Sequence, residues 1–416
     1  MIAEQVETLI IGGGQAGLTM SHMLSRRGCP HLLLERGKIA ERWRSERWDG
    51  LRFQFPNWSV GLPDFPFPCA EPDGFAASHE ILAYLEAYAK LVNPPIRCGV
   101  EVIALRKDAS EQTIVAQTKQ GSIAARNVVI ATGPYQRPVV PQLLAADCDL
   151  FQVHANAYKG PEQLPAGAVL VVGSGASGAQ IAEELLRAGR KVYLSVGRHK
   201  RMPRRYRGRD LIWWLAEMGL DQTPVEKRGA DATLPLITGA YGGHTIDFRT
   251  FAGQGIVLLG RLRSGHGSTL KFADDLNQSI TYGDAAYHAF LNLADGYMEP
   301  KNMSLPAEPT ARDKLPDPPC ISAPMRQLDT HNTGLRSLIW ATGYAFDFGW
   351  IQLPIVDANG APRHEHGVTP VPGVYFLGLP WLSKMNSSFL SGVGDDAARI
   401  AERIHERSVA NAARVS

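Results

Sequence analysis

The sequence predicts an α/β fold built from two copies of a strand–helix–strand nucleotide-binding unit, each a three-layer doubly wound sheet, with the second inserted into the first. Three observations predict it. Gly12, Gly17 and Gly28 reappear as Gly173, Gly178 and Gly189, a constant offset of 161 residues. Two apolar strands end alike, as Val128-Val129-Ile130-Ala131-Thr132-Gly133 and Leu338-Ile339-Trp340-Ala341-Thr342-Gly343. At 416 residues the chain has room for two or three domains of roughly 100–200 residues each.

Taken in order, Val6 to Ile11 reads as a strand leading into Gly12-Gly13-Gly14-Gln15-Ala16-Gly17, then a helix to Arg27, Gly28 as its stop, and a second strand at Leu32 to Glu35. A lone GxGxxG says little, but here it follows an apolar strand and opens a helix, which is the context the motif requires. The first glycine allows the tight turn, the second admits a pyrophosphate to the backbone, and the third lets helix and strand pack closely. The same order recurs at Ala168 to Val172, Gly173-Ser174-Gly175-Ala176-Ser177-Gly178, a helix to Ala188, Gly189, and a strand to Val196. These are two Rossmann-like turns, and two turns mean two dinucleotides. Between them, Ser78-His79-Glu80 reads as a cap for the run Ile81 to Leu91, and Val100 to Thr118 as strands of a small sheet.

The stretch 204–319 exceeds what a nucleotide unit needs and reads as an elaboration of the second unit, one that either shapes a substrate entrance or merely packs. It is expected to hold helices at Asp210 to Met218 and Ala285 to Met298 and a strand at Ile256 to Leu259, before a Pro-rich connector at Pro306 to Pro324. A final helix is expected from near Gly392 to about Arg407. The domains are accordingly placed at 1–158, 159–329 and 330–416, the first and last forming one unit.

The strand ends separate the two nucleotides. Glu35, with Arg36 beside it, lies where a carboxylate accepts both hydroxyls of an adenosine ribose, which suits FAD. The equivalent position in the second unit is Val196, between Ser195 and Gly197-Arg198, with His199, Lys200, Arg201, Arg204 and Arg205 following. A hydroxyl and guanidinium groups without an acid suit a 2′-phosphate, so NADPH is expected there, with Ser195, Arg198 and Arg204 as its donors. The bland reading of that basic run is a solvated loop.

Composition excludes other classes. Lys plus Arg at 43 against Asp plus Glu at 41 leaves +2, no global field for nucleic acid or an anionic membrane. Five cysteines without a CxxC argue against a disulfide framework and a dithiol centre, and free thiols suggest the cytoplasm. No signal segment or bilayer-spanning run is expected, and no HExxH or paired CxxC marks a metal site.

Together, the paired glycine turns, the Ala131-Thr132-Gly133 strand, Ala341-Thr342-Gly343-Tyr344, Trp43-Arg44 and Asp64-Phe65-Pro66-Phe67-Pro68 resemble class B flavin-containing monooxygenases, especially the bacterial and YUCCA-type branch. The resemblance implies that NADPH reduces FAD, that oxygen adds to give a C4a-hydroperoxyflavin, and that a small organic molecule is oxygenated by S- or N-oxidation, Baeyer-Villiger insertion or decarboxylation of a 2-oxo acid. It implies cofactor contacts at Trp43, Arg44, Thr132, Gly133, Thr342, Gly343, Asn386 and Val393, the last at the start of a helix whose N-terminus faces the flavin. Gln54 stands where an Asn of the family hydrogen-bonds flavin and NADP⁺, with Asn57 nearby, and these two are the catalytic candidates. Of the family fingerprint around His154, Tyr158 and Lys159 match but Cys148 and Leu150 do not, so His154 reads either as a hinge residue or as a satisfied interdomain histidine. The partners expected are a small-molecule substrate and O2, with no nucleic acid and no membrane; a homodimer is left open. Two other readings stay open: an NAD(P)H-dependent flavin reductase or oxidase without oxygenation, and a non-catalytic redox-sensing nucleotide-binding regulator.

Overall fold

The computed structural model describes residues 4–108, 113–231 and 235–415, with side chains through residue 410. Its elements include β1 (Glu4–Ile11), α1 (Gln15–Arg26), β2 (His31–Glu35), α2 (Ser78–Val92), β3 (Ile96–Cys98), β4 (Val102–Lys107), β5 (Ile114–Thr118) and β6 (Gly121–Ile130). There follow β7 (Phe151–His154), β8 (Ala168–Val172), α3 (Ala176–Arg187), β9 (Val192–Ser195), α4 (Leu211–Glu217), β10 (Val257–Leu259) and α5 (Leu276–Met298). The chain closes with β11 (Leu335–Trp340), β12 (Val374–Phe376) and α6 (Val393–Val415).

The first sheet runs β3-β2-β1-β6-β5-β4, with β12 also paired to β6. The pairs β1–β2, β1–β6, β2–β3 and β6–β12 are parallel, and only β4–β5–β6 is antiparallel. The strands at 102–118 thus extend this sheet instead of forming a separate one. Its central strands are continuous apolar runs because helices cover the sheet: Leu9, Ile10, Leu33, Val128 and Phe376 are buried, and α1 packs against α2 and α6. At the start of α2 the Glu80 carboxylate accepts the Ala77 N–H at 2.6 Å, so Glu80, not Ser78, supplies the cap.

The second sheet, β7-β11-β8-β9-β10, is parallel throughout. Here the boundaries expected at 158/159 and 329/330 shift, because β7 and β11 both pair inside this sheet. The physical reason is the duplication itself: β11 stands to β8 as β6 stands to β1, on the side of the glycine-turn strand away from the second strand. The crossings between sheets therefore fall just after Gly133 and Gly343, where Arg137–Pro138 and Tyr344–Ala345 pair as a two-stranded antiparallel ribbon.

The elaboration contains α4, opened by the Asp210 side chain accepting the Ile212 N–H at 2.8 Å, and α5. Helix α5 begins at Leu276, well before the expected Ala285. Its early turns bury Leu276, Ser279 and Ile280, and Gly283 lets His199 approach so closely that a Cβ would lie 2.6 Å from Nε2. No helix among the described residues is long and apolar enough to cross a membrane, and no cluster of metal-ligating side chains occurs among them.

Candidate functional site

The two glycine turns are near-superimposable in their constraints. Gly12 has φ +114° and Gly173 +109°, and a Cβ there would meet the Ala131 carbonyl oxygen at 2.6 Å or the Ala341 oxygen at 2.4 Å. A Cβ on Gly17 would fall 1.8 Å from the Gly12 oxygen, and on Gly178 1.9 Å from the Gly173 oxygen. Gly14 and Gly175 are the N-caps of α1 and α3, and a Cβ on either would meet no atom within 4 Å. Their small size keeps open space over two helix N-termini, where backbone N–H groups and the positive dipole end suit a phosphate. That is the cradle a dinucleotide fills.

At the first strand end, Glu35 is buried, with Oε2 accepting the Gly13 N–H at 2.6 Å and Oε1 the Gly37 N–H at 2.7 Å. These bonds fix the carboxylate at the rim of a cavity of about 840 Å³. Gly12, Gly14, Gln15, Ala16, Glu35 and Arg36 line this cavity, as do Trp43, Gln54, Thr132 and Gly133, and Ser177 reaches it from the second unit. The lining also holds Phe53, Phe55, Phe389, Arg47 and Tyr135, which the sequence did not single out. Trp43, Phe53, Phe55 and Phe389 form a row of aromatic contacts at centroid distances of 5.7, 5.3 and 4.9 Å. Arg47 stacks over Trp43 at 5.0 Å and Tyr135 at 5.6 Å. The alternation Phe53-Gln54-Phe55 was the sequence signal for a two-sided segment here. Among the described residues none hydrogen-bonds the Gln54 side-chain amide, which leaves it free at the cavity wall, while the Gln54 carbonyl accepts Arg204 Nη1 at 2.7 Å.

Several expected contacts are committed elsewhere. Arg204 is 2% exposed, with its guanidinium held by Asp210 at 2.7 Å as well as by the Gln54 carbonyl. It is a buried tie between the elaboration and the first unit, not a phosphate donor, because burial of a guanidinium demands a fixed counter-charge. Ser195 is turned into the core, donating to the Gly260 carbonyl at 3.0 Å and accepting the Leu262 N–H at 3.1 Å. Arg198 alone of the three keeps its head outward, its side chain 62% exposed, 3.1 Å from Asp231 and 4.0 Å above Tyr282. Arg44 pairs with Glu86 on α2 at 2.5 Å. Asn57 is spent on the Glu71 carbonyl at 3.0 Å and does not line the cavity. Asn386 is 2% exposed and donates to Asp221 at 3.3 Å. Val393 is buried, and its N–H donates to the Phe389 carbonyl at 3.1 Å.

Thr342 and Gly343 belong to the crossing ribbon: the Thr342 hydroxyl donates to the Val139 carbonyl, and the Gly343 carbonyl accepts the Val139 N–H at 3.0 Å. His154 contacts the same Gly343 carbonyl through Nε2 at 3.1 Å and Asn156 through Nδ1 at 3.0 Å, with Tyr344 edge-on at 5.2 Å. Burial lowers its pKa below the usual histidine value. It is a satisfied histidine of the second sheet, at the crossing between units. Where the units meet, Gln180 on α3 brackets the Arg52 backbone, accepting its N–H at 3.4 Å and donating to its carbonyl at 3.2 Å, two residues before Gln54.

The family model for pyridine nucleotide-disulphide oxidoreductases matches residues 9–213. An uncharacterized CzcO-like oxidoreductase of Geobacillus kaustophilus is 32% identical over 396 residues, covering 94% of this chain and 96% of that one. The chain belongs to the class B flavin-containing monooxygenase-like family, among its CzcO-like oxidoreductases. A more distant relative is the indole-3-pyruvate monooxygenase YUCCA1 of rice, 34% identical over 189 residues, 44% of this chain and 46% of that one. A flavin-containing monooxygenase from Stenotrophomonas maltophilia shares the fold with a TM-score of 0.68 at 17% identity, over 97% of this chain and 99% of that one. In this CzcO-like chain the first glycine turn and the aromatic row line one cavity, and the crossing ribbon joins the two units.

Proposed function

We propose that this chain is an NADPH-dependent FAD monooxygenase acting on a small organic molecule. The observation that carries the reading is the single cavity shared by the first glycine turn and by Ser177 at the start of α3. FAD would be held by the turn 12–17, by Glu35 at the adenosine ribose, and by Thr132-Gly133. NADPH would be held by the turn 173–178, with Arg198 at the 2′-phosphate. The chemistry the two cofactors supply when bound is hydride delivery and oxygen activation, with the balance substrate + O2 + NADPH + H⁺ giving oxygenated substrate + NADP⁺ + H2O.

The chain's own residues have modest tasks. The Gln180–Arg52 bracket fixes the second helix against the segment carrying Gln54, setting the spacing on which hydride transfer depends. Trp43, Phe53, Phe55 and Phe389 exclude water from the cavity. The free Gln54 amide can donate and accept a hydrogen bond at the wall. A dithiol reductase reading is disfavoured, because none of the five cysteines lines the cavity.

The test is direct. Purified protein should carry or take up FAD, be reduced faster by NADPH than by NADH, and on mixing with oxygen and an acceptor yield product that gains one oxygen atom by mass. A protein that stays colourless with FAD, or one that returns every reducing equivalent as hydrogen peroxide across a panel of acceptors, would overturn the proposal.

A further inference from the structure

The elaboration does more than brace the fold. Ile212 and Leu215 on α4, with Pro235 and Ile237 beyond it, complete the lining of the cavity. Ile212, Leu215 and Ile237 belong to one apolar cluster that also takes in Met385, itself a lining residue. Three residues on, the Ser388 carbonyl accepts the Gln15 side-chain amide at 2.7 Å, so the Met385–Phe389 loop runs from this apolar wall to the start of α1. The wall is therefore next to the place where the first dinucleotide would lie.

Charge is absent from this wall and neutralised behind it. Arg204 is consumed by Asp210 and the Gln54 carbonyl. Lys384 pairs with Asp395 and with the Gln222 amide. Of the cations that line the rest of the cavity, Arg52 lies 4.0 Å from Glu80 with its side chain half exposed, and Arg47 stacks over Trp43 and Tyr135. An ionic group pressed against Ile212, Leu215 and Ile237 would lose its hydration and gain no counter-charge from the wall itself, whereas an apolar surface there is favoured in proportion to the area it buries.

We propose that Ile212, Leu215 and Ile237 form the acceptor pocket and that it takes an uncharged, predominantly apolar molecule, in preference to 2-oxo acids or protonated amines. This rests on the monooxygenase reading. It assigns the 204–319 segment the choice of substrate.

Two probes with the same reactive sulfur decide it: methyl phenyl sulfide and 4-(methylthio)benzoate, neutral and anionic. Titrated into the oxidised FAD-loaded protein without NADPH, the neutral probe should perturb the flavin spectrum at a concentration at least tenfold lower than the anion. With NADPH and oxygen, sulfoxide formation scored by mass should show at least tenfold higher kcat/KM for the neutral sulfide. Ile237→Lys should shrink or invert that ratio. Leu215→Ala, which leaves charge alone, should raise the relative use of methyl naphthyl sulfide. Equal or better binding of the anion, no binding of either probe, or a ratio untouched by both variants would overturn the pocket. Failure of NADPH to reduce the flavin would instead strike the monooxygenase reading, and the titration reads the pocket without it.

Discussion

The two glycine turns are the same object to within a few degrees and tenths of an ångström, yet their strand ends differ completely. After the first, a buried carboxylate is presented by two backbone N–H groups at 2.6 and 2.7 Å. After the second, Ser195 turns inward to Gly260, and an exposed Arg198 is what remains near the turn. Backbone geometry is what the duplication copied. Ligand chemistry was left to one or two side chains at the end of the second strand of each unit, and those diverged.

The comparison can be broken at the residue expected at the 2′-phosphate but held elsewhere. Arg204→Ala removes a buried cation from Asp210 and should cost about 3–5 kcal/mol in chemical denaturation, with the NADPH-to-NADH preference unchanged. A lost preference without lost stability would return Arg204 to the nucleotide. Next in size are the third glycines. Gly17→Ala and Gly178→Ala each drive a Cβ into a carbonyl oxygen and should cost ~3 kcal/mol, but the first should abolish FAD retention while the second leaves the protein yellow and slow to be reduced. If both lose FAD alike, the units are not separable.

Glu35→Gln places an amide N–H against one of two backbone donors and should weaken FAD about 30-fold by equilibrium titration, leaving the Michaelis constant for NADPH alone. Arg198→Ala should raise that constant ~10-fold for NADPH and far less for NADH; equal changes would remove Arg198 from the 2′-phosphate. The smallest effect is on pH. Burial lowers the pKa of His154, His199 and His364, so each binds protons more weakly folded than unfolded. Their contribution is complete above the ordinary histidine value of about 6.5 and declines as pH falls below it, so the denaturation midpoint should drop between about pH 7 and about pH 5. Glu184, raised by burial, works the other way and trims the drop. His154→Asn should flatten the profile.

What was legible in the sequence was local. The turns, their strands and the Glu35 position sit within a few residues of one another, so spacing alone reports them. The fate of Arg204 was not legible, because its partners are Asp210, six residues on, and the Gln54 carbonyl, 150 residues back. Ser195 likewise looked free because Gly260 lies 65 residues away. The boundary between units was misplaced for a related reason: β11 resembles β6, and resemblance does not say which sheet a strand joins until its neighbours are known. That the elaboration could shape a substrate entrance was legible from its length, but the particular wall of Ile212, Leu215 and Ile237 was not, since the cavity it lines is shared with residues 53–55 and 385–389, distant in sequence.

Besides the Arg204 tie, the elaboration is fastened to the first unit through main-chain atoms. The Met385 N–H donates to the Thr223 carbonyl at 2.9 Å, the Asn386 N–H to the Asp221 carbonyl at 3.1 Å, and the Val225 N–H to the Ser383 carbonyl at 2.8 Å. Peptide groups are indifferent to side-chain identity, so this main-chain part of the seam survives replacement of the residues of the 212–237 stretch that face the cavity. Descendants of such a chain are free to rewrite the inner surface of the 212–237 stretch one codon at a time while the anchorage persists, which makes this stretch the natural place to begin a directed-evolution library.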